Sequence, residues 1–178
     1  DELIKNFDLA GINPTSPIFN LEKLDWFNGQ WVRRLSDDEL ARKVKKYSKY
    51  SLKEIKKVIS PAKTRLKKLT EFDELTRYLI EKPIVNPRIL QINENPSAVL
   101  SEAAKVFSKV DKWSFRAVNP TIEKVANKFP NWKMMEIVQL ISRALSGRTE
   151  YFPLLNMSEI LGQKEIVERL KNASRVTS

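Results

Sequence analysis

Apolar residues recur at helical spacing along most of the chain. Leu21, Leu24, Phe27, Trp31 and Leu35 lie three or four positions apart, which places them on one face of an α-helix. The spacing therefore predicts a helix over 21–35 with a single apolar stripe. All the tryptophans occur in apolar surroundings, so we expect each to pack in the core; they are Trp26, Trp31, Trp113 and Trp132.

Two sequence signals mark the starts of further helices. Ser36 is followed by Glu39 and Ser51 by Glu54, which fits the capping box. In this motif the serine and glutamate side chains satisfy backbone N–H groups that have no partner inside the helix. The first pair predicts a helix over 37–49.

Prolines suggest where other helices begin. The helix that starts after Ser51 is expected to end near Ile59, because Ser60-Pro61 fits a new helix start with Pro at its first position. The last helix is expected over 163–171. The polar stretch from Asn172 to Ser178 should then be frayed.

The chain is expected to be all-α, a helical bundle of two subdomains. Strand signals are weak, and residues 81–96 contain three prolines with little helical periodicity. We therefore divide the chain into subdomains at 1–85 and 86–178. No apolar run approaches the length of a membrane span. The chain begins with Asp1 instead of Met, so we expect a fragment or a processed chain, with tag removal as an alternative.

The composition excludes several kinds of catalytic site. The 178 residues contain no Cys and no His, which excludes Ser-His-Asp and Cys-His nucleophilic centres and Cys/His zinc sites. The four glycines are far apart, so they cannot form a phosphate-binding loop. The carboxylates of 37–39 lie in the first turn of a predicted helix, where they stabilise the helix by interacting with its dipole. We expect no catalytic residue, no metal site and no cofactor here.

The positive charge lies in one segment. Lys and Arg total 32 against 22 Asp and Glu, a net charge of +10. Residues 42–68 contain twelve of these cations and one acidic residue, Glu54. A solvated helical face is one interpretation of such a run. We favour RNA binding, because Tyr47 and Tyr50 are interleaved with the cations and unstacked bases need aromatic faces.

Three stretches resemble the bacterial-type glutamyl-tRNA synthetases. Ser16-Pro17-Ile18-Phe19 and 21–34 are similar to the segment that follows the catalytic half of those enzymes. Residues 65–78 resemble the family's next helix pair, and 143–150 with 159–170 resemble its closing segment. The three stretches occur in the family's order and at roughly its spacing.

The resemblance implies the C-terminal half of a class I synthetase, a helical cage that grips the anticodon stem and loop. The parent enzyme would ligate glutamate to its tRNA, using ATP and Mg²⁺ in a catalytic half that should precede residue 1. The implied partners are glutamate tRNA and that catalytic half, without a membrane. The protein would be a cytoplasmic monomer, with an organellar matrix as the alternative location.

The resemblance also assigns residues. Arg65 matches the position that reads the third anticodon base, and an Arg fork suits the acceptor edge of cytosine. The matching anticodon-contact position near 142 departs from the family, since Ser142 precedes Arg143 where the family has its Arg one residue earlier. Tyr151 and Leu154 also fall at anticodon contacts. Phosphate contacts are expected from Lys45, Lys46, Lys49, Lys53, Lys56, Lys57, Lys63, Lys67 and Lys68.

Two other functions stay open on the sequence alone. A stand-alone helical RNA-binding or adaptor module would share the basic segment and lack ligase activity. A basic protein that docks on an anionic membrane or on a partner protein would share the charge. The sequence disfavours the membrane interpretation, because it does not combine a Trp/Leu face with a Lys face on one amphipathic helix.

Overall fold

The computed structural model describes residues 2–8 and 20–177, and these residues form helices without any strand. The all-α prediction is confirmed. The resembling segment Ser16-Pro17-Ile18-Phe19 lies outside the described residues. The helices are α1 (Glu2–Lys5), α2 (Leu21–Arg34), α3 (Asp37–Val44), α4 (Leu52–Arg65), α5 (Phe72–Ile80), α6 (Pro96–Ser108), α7 (Val118–Ala126), α8 (Met134–Ser146) and α9 (Leu154–Val176). Short 3₁₀ helices occupy Leu69–Glu71, Pro87–Leu90 and Phe115–Ala117.

The capping boxes begin α3 and α4 as predicted. The backbone N–H of Ser36 donates to Glu39 Oε2 at 2.9 Å, and the Glu39 N–H donates to Ser36 Oγ at 3.3 Å. Ser51 and Glu54 form the same pair of hydrogen bonds, at 2.8 and 3.3 Å. These local contacts supply partners for backbone groups that the helix itself leaves free.

The prediction of a new helix at Ser60-Pro61 is wrong, because α4 continues through Pro61 to Arg65. Proline removes one intrahelical hydrogen bond and usually kinks or ends a helix. Here Ile59 and Ala62, on either side of Pro61, are both buried in the core. Burial of the face that carries these two residues favours the continuous helix.

The chain end is also more ordered than predicted. Gly162, at φ +72°, interrupts α9, and the helix then continues to Val176. The frayed tail predicted from Asn172 is therefore wrong for the described residues. Ala173 is buried, and Ser97 Oγ on α6 donates to the Ser174 carbonyl at 2.8 Å. Packing against α6 holds this last stretch.

One core connects the two predicted subdomains. Residues on both sides of position 85, such as Phe72 and Leu140, belong to the same cluster of buried side chains. The segment between α5 and α6 contains only one short 3₁₀ helix, as its prolines suggested. The division into 1–85 and 86–178 stays a prediction. No helix among the described residues is both long enough and apolar enough to cross a bilayer.

The tryptophans divide into two groups. Trp132 is buried, with Nε1 donating to the Glu94 carbonyl at 3.0 Å, and Trp113 is half-buried against Phe107. Trp26 and Trp31 on α2 are exposed. The expected core packing is therefore wrong for these two. In its place, α2 buries Gly29 and Val32.

Candidate nucleic-acid interface

The C-terminal end of α4 meets the loop before α9 through Arg65. Its guanidinium Nη1 donates to the Tyr151 carbonyl oxygen at 2.8 Å, and its Cζ lies 4.9 Å from the centre of the Phe152 ring. Arg65 is exposed. The structure thus joins two predicted site residues, Arg65 and Tyr151, that are 86 positions apart in the chain.

The surface under Arg65 is rigidly supported. Phe152 is buried, and its backbone N–H donates to the Tyr78 hydroxyl at 2.8 Å. Burial raises the pKa of the Tyr78 hydroxyl, so it stays protonated in neutral solution. The planar Arg65 fork rests on the Phe152 ring, and such an arrangement orients a guanidinium for paired hydrogen bonds.

Arg65 also lines a cleft of about 500 Å³ between α2 and α4. Arg33 and Lys67 add positive charge to this cleft, and Trp26 adds an exposed aromatic side chain. Glu22, Asp25, Gly29 and Thr64 complete its lining. Proteins that bind single-stranded nucleic acid usually combine cations, which contact the phosphates, with an aromatic side chain on which a base stacks. Neither contribution was predicted from sequence: Trp26 lies among apolar residues, so core packing was expected for it, and Arg33 lies outside the basic segment 42–68.

Two of the other predicted anticodon-contact residues are buried, and the third, Arg143, is half-buried. Ser142 is 0% exposed, and its Oγ has no hydrogen-bond partner among the described residues. Leu154 is buried. Arg143 is half-buried, and its Nη1 donates to the Ile89 carbonyl at 2.9 Å. Direct contact between RNA and these three side chains stays a prediction, and for Ser142 and Leu154 it would require the side chain to leave its buried position.

Several lysines of the basic segment are held by carboxylates. Each of these ion pairs joins the segment to another part of the chain at 3.1 Å or less: Lys49–Glu81 (2.7 Å), Lys56–Asp38 (2.7 Å), Lys63–Asp37 (3.1 Å) and Lys68–Asp25 (3.1 Å). The carboxylates of 37–39 thus have structural partners, since Glu39 caps α3. The described residues contain no cluster of His, Cys, Asp or Glu that could hold a metal ion.

The remaining lysines are more accessible to phosphates. Lys45 donates weakly to the Ser48 carbonyl, at 3.4 Å. Lys46, Lys53, Lys57 and Lys67 are exposed and have no carboxylate within ion-pairing distance in the described part of the chain. An exposed cation without a protein counterion can neutralise a phosphate and release its condensed counterions.

The two interleaved tyrosines have different roles. Tyr47 is 60% exposed, so its ring is available for stacking. Tyr50 is buried, and its hydroxyl donates to Glu81 Oε1 at 3.0 Å. Burial, reinforced by this hydrogen bond, raises the pKa of Tyr50. Only Tyr47 of this pair presents an aromatic face to a ligand.

A second basic cleft lies outside the predicted segment. Its volume is about 990 Å³, and α6 and α7 form its walls. Lysines at four-residue spacing, in the last turn of each helix and just beyond it, line the cleft: Lys105 and Lys109 on one side, Lys124 and Lys128 on the other. The sequence from α6 to α7 also contains acidic residues, so its net charge did not indicate a basic cleft. The spacing of the lysines was the signal that could have shown it.

An all-α core that presents an arginine fork, unpaired lysines and exposed aromatic side chains defines a helical nucleic-acid-binding domain. The chain belongs to the anticodon binding domain family, whose sequence model matches residues 39–174. Helix α2 precedes the matched region, whereas Arg65, Tyr151 and the unpaired lysines lie inside it.

Full-length relatives extend the similarity beyond that region. The glutamate–tRNA ligase of Rhizobium johnstonii is 27% identical over 100% of this chain and 37% of the relative. Glutamate–tRNA ligase 1 of Fervidobacterium nodosum is 31% identical over 95% of this chain and 36% of the relative. The chain therefore spans little more than a third of the length of these relatives. The resemblance of the chain to glutamyl-tRNA synthetases is confirmed.

Solved structures show the same fold. A glutamate tRNA ligase from Elizabethkingia meningosepticum matches 99% of this chain with a TM-score of 0.81 at 19% identity, over 36% of its own length. Glutamate-tRNA synthetase from Elizabethkingia anophelis matches 98% of the chain with a TM-score of 0.76. Both alignments cover nearly the whole chain, so α2 belongs to the shared fold.

Proposed function

We propose that this chain binds the anticodon stem and loop of glutamate tRNA and is the anticodon-binding part of a glutamate–tRNA ligase. The observation that carries the proposal is the Arg65 fork, fixed at the edge of a basic cleft by Tyr151 and Phe152. The ligase would join glutamate to tRNA with ATP and Mg²⁺ in its catalytic region. The present chain would supply recognition of the tRNA.

Arg65 is the residue proposed to read sequence. The Tyr151 carbonyl oxygen accepts a hydrogen bond from Nη1 of Arg65. The described residues contain no other hydrogen-bond acceptor for the Arg65 guanidinium. The remaining N–H groups can therefore donate to a base. Cytosine offers O2 and N3 on one edge, and an arginine fork can bind such a pair of acceptors at once. A phosphate contact would use the same charge without discriminating between bases.

The unpaired lysines are proposed to hold the RNA backbone. Lys46, Lys53 and Lys57 precede Arg65 along the segment from α3 to α4, and Lys67 follows it. Contacts of this kind orient the RNA and supply affinity, but they do not depend on base identity. Tyr47 is proposed to stack on an unpaired base of the loop, because its ring is exposed among these cations.

We further infer a monomer whose remaining partner is the catalytic region of the same ligase. Location would follow from the role in translation, in the cytoplasm or an organellar matrix. The relatives that match nearly the whole chain are ligases almost three times its length, which supports a catalytic region elsewhere in the polypeptide.

The test is a binding titration with labelled glutamate tRNA and a variant changed only at the third anticodon base. The unmodified protein should bind glutamate tRNA more tightly, by about 1–3 kcal/mol for one base-reading contact. Arg65→Gln should remove most of this preference. The matched control Lys53→Gln removes an equal charge from the same segment, and it should weaken both complexes equally.

Two results would contradict the proposal. Equal affinity of the unmodified protein for glutamate tRNA and for unrelated RNA of the same length would exclude anticodon recognition. An Arg65→Gln variant that loses affinity for both tRNAs by the same factor would reduce Arg65 to a phosphate contact. Titrations at two salt concentrations are needed, because electrostatic affinity alone falls steeply as salt rises.

A further inference from the structure

Helix α2 packs its small side against the protein and exposes its large apolar residues. Gly29 and Val32 are its buried residues, whereas Leu21 is 67% exposed and Trp31 is 63% exposed. Leu24 and Phe27 lie between them at helical spacing and are also exposed. We call Leu21, Leu24, Phe27 and Trp31 the α2 stripe. A surface helix normally packs its large apolar residues against the core and exposes polar residues to water.

Polar contacts fix the orientation of α2. The Asn28 side-chain amide donates to the Lys67 carbonyl after α4, and Asp25 pairs with Lys68 at 3.1 Å. These contacts and the burial of Val32 hold one side of the helix on α4. The α2 stripe therefore remains directed away from this core.

The exposed apolar area is large for a surface that faces water. The α2 stripe and the adjacent Trp26 together expose on the order of 500 Å². That is near the largest apolar patch found on typical monomers, and such patches commonly bind a partner. Trp26, Phe27, Gln30, Trp31 and Arg34 also line a shallow cleft of about 380 Å³, into which a side chain of a partner can fit.

We propose that the α2 stripe is the docking surface for the catalytic region of a glutamate–tRNA ligase. The relatives support this occupant, because the chain corresponds to only 36–37% of their length and nearly all of it, including α2, aligns with them. Moreover, α2 lies before residues 39–174, the region that the anticodon binding domain family model matches. A helix at the edge of that domain, attached to α4 by its small side, can place its large side against a neighbouring region.

The proposal rests on the function proposed above and has a structural consequence. Helix α2 would become a rigid connection between α4 and the catalytic region. Asn28 and Asp25 would hold it on one side, and the α2 stripe would hold it on the other. The Arg65 cleft, which α2 helps to form, would then keep a fixed position relative to the catalytic region. Rigid placement of two sites on one tRNA raises the effective concentration for the second contact.

The experiment compares thiol labelling in the 178-residue chain and in the intact ligase polypeptide that contains it, without tRNA. This chain has no cysteine, so each introduced thiol is its only one, and peptide mass spectrometry separates it from thiols elsewhere. Leu24→Cys and Gln30→Cys report on the stripe and its adjoining cleft. Tyr47→Cys is the matched control, because Tyr47 is exposed, as Leu24 is.

Leu24→Cys and Gln30→Cys should react with iodoacetamide about tenfold more slowly in the intact ligase than in the 178-residue chain, a ratio that equals about 1.4 kcal/mol. Tyr47→Cys should react equally in both. Equal rates for all three variants in both preparations would overturn the proposal. Protection in the 178-residue chain that increases with its concentration would show that a second copy covers the stripe, and this result would also overturn it. Because tRNA is absent, a failure of tRNA recognition leaves the labelling result valid.

Discussion

Arg169 donates from its guanidinium Nη1 to the Tyr78 carbonyl oxygen at 2.6 Å, across 91 positions of sequence. The same nitrogen lies 2.7 Å from the Leu145 carbonyl, and Nη2 donates to the Glu81 carbonyl at 3.1 Å. These acceptors are at the C-terminal ends of α5 and α8, where helices leave carbonyls without partners. Arg169 is buried, so one side chain on α9 caps two other helices.

Replacement of Arg169 by Met should lower the free energy of unfolding by about 3 kcal/mol, because it leaves buried carbonyls and the Glu165 carboxylate without their donor. Urea unfolding followed by circular dichroism measures this change. Arg175→Met on the same helix is the control, since Arg175 is exposed, and it should change stability by less than about 0.5 kcal/mol. Similar losses for both variants would argue against the capping role.

Gly147→Ala and Gly162→Ala should both destabilise the protein, for different reasons. Both glycines have positive φ, +68° and +72°. Gly147, at ψ 17°, has the left-handed helical conformation, which costs alanine about 1–2 kcal/mol, and a Cβ there would also lie 2.8 Å from the Ile84 carbonyl oxygen. Gly162, at ψ 167°, lies in a region that essentially only glycine adopts, so alanine is strained there by about 1–3 kcal/mol although its Cβ meets nothing within 4 Å. Thermal unfolding of each variant against the unmodified protein measures the loss. An unchanged midpoint for either variant would show that the backbone at that glycine adapts without cost.

Neutralisation of Lys46, Lys53, Lys57 and Lys67 to Gln should reduce the salt dependence of tRNA binding. If each contacts one phosphate, the slope of log affinity against log salt should fall in magnitude by roughly 3. The control changes Lys105, Lys109, Lys124 and Lys112, which also lines the α6–α7 cleft, to Gln for an identical loss of charge. A smaller reduction is expected there. If the control reduces the slope equally, RNA also occupies that second cleft.

Ser36→Ala should destabilise the protein at neutral pH and have less effect in acid. Hydrogen bonds from Ser36 hold the pKa of Glu39 below its usual 4.5. A depressed carboxyl pKa means that the stabilisation is present above pH 4.5 and is lost as the pH falls through the folded-state value. Urea midpoints at pH 7 and pH 3 test this. A destabilisation by Ser36→Ala that is the same at both pH values would contradict the coupling of serine and glutamate.

Local features of the candidate site could be predicted from sequence to different degrees. The resemblance pointed to Arg65 and Tyr151, and the structure brings them together. The structure places Ser142 and Leu154 in the core. The pattern of apolar and polar residues could not decide whether these two side chains are buried. A single serine within an apolar helix fits a buried or an exposed position equally well until its neighbours are known.

The sequence alone determined what depends on contacts within a few residues. The capping boxes at Ser36 and Ser51 are of this kind, because each joins a serine and a glutamate side chain to backbone N–H groups in the same turn. The total charge was equally readable, although the ion pairs that give four of the twelve cations in the basic segment a carboxylate partner were not.

The tertiary structure decided which side of each helix faces the core. Periodicity showed that α2 has an apolar stripe, but it could not show that Val32 packs inward while Trp31 remains exposed. It also could not show that α4 continues past Pro61 or that Arg169 reaches the ends of α5 and α8. These outcomes depend on groups that are far apart in the chain, and only packing of the whole core brings those groups together.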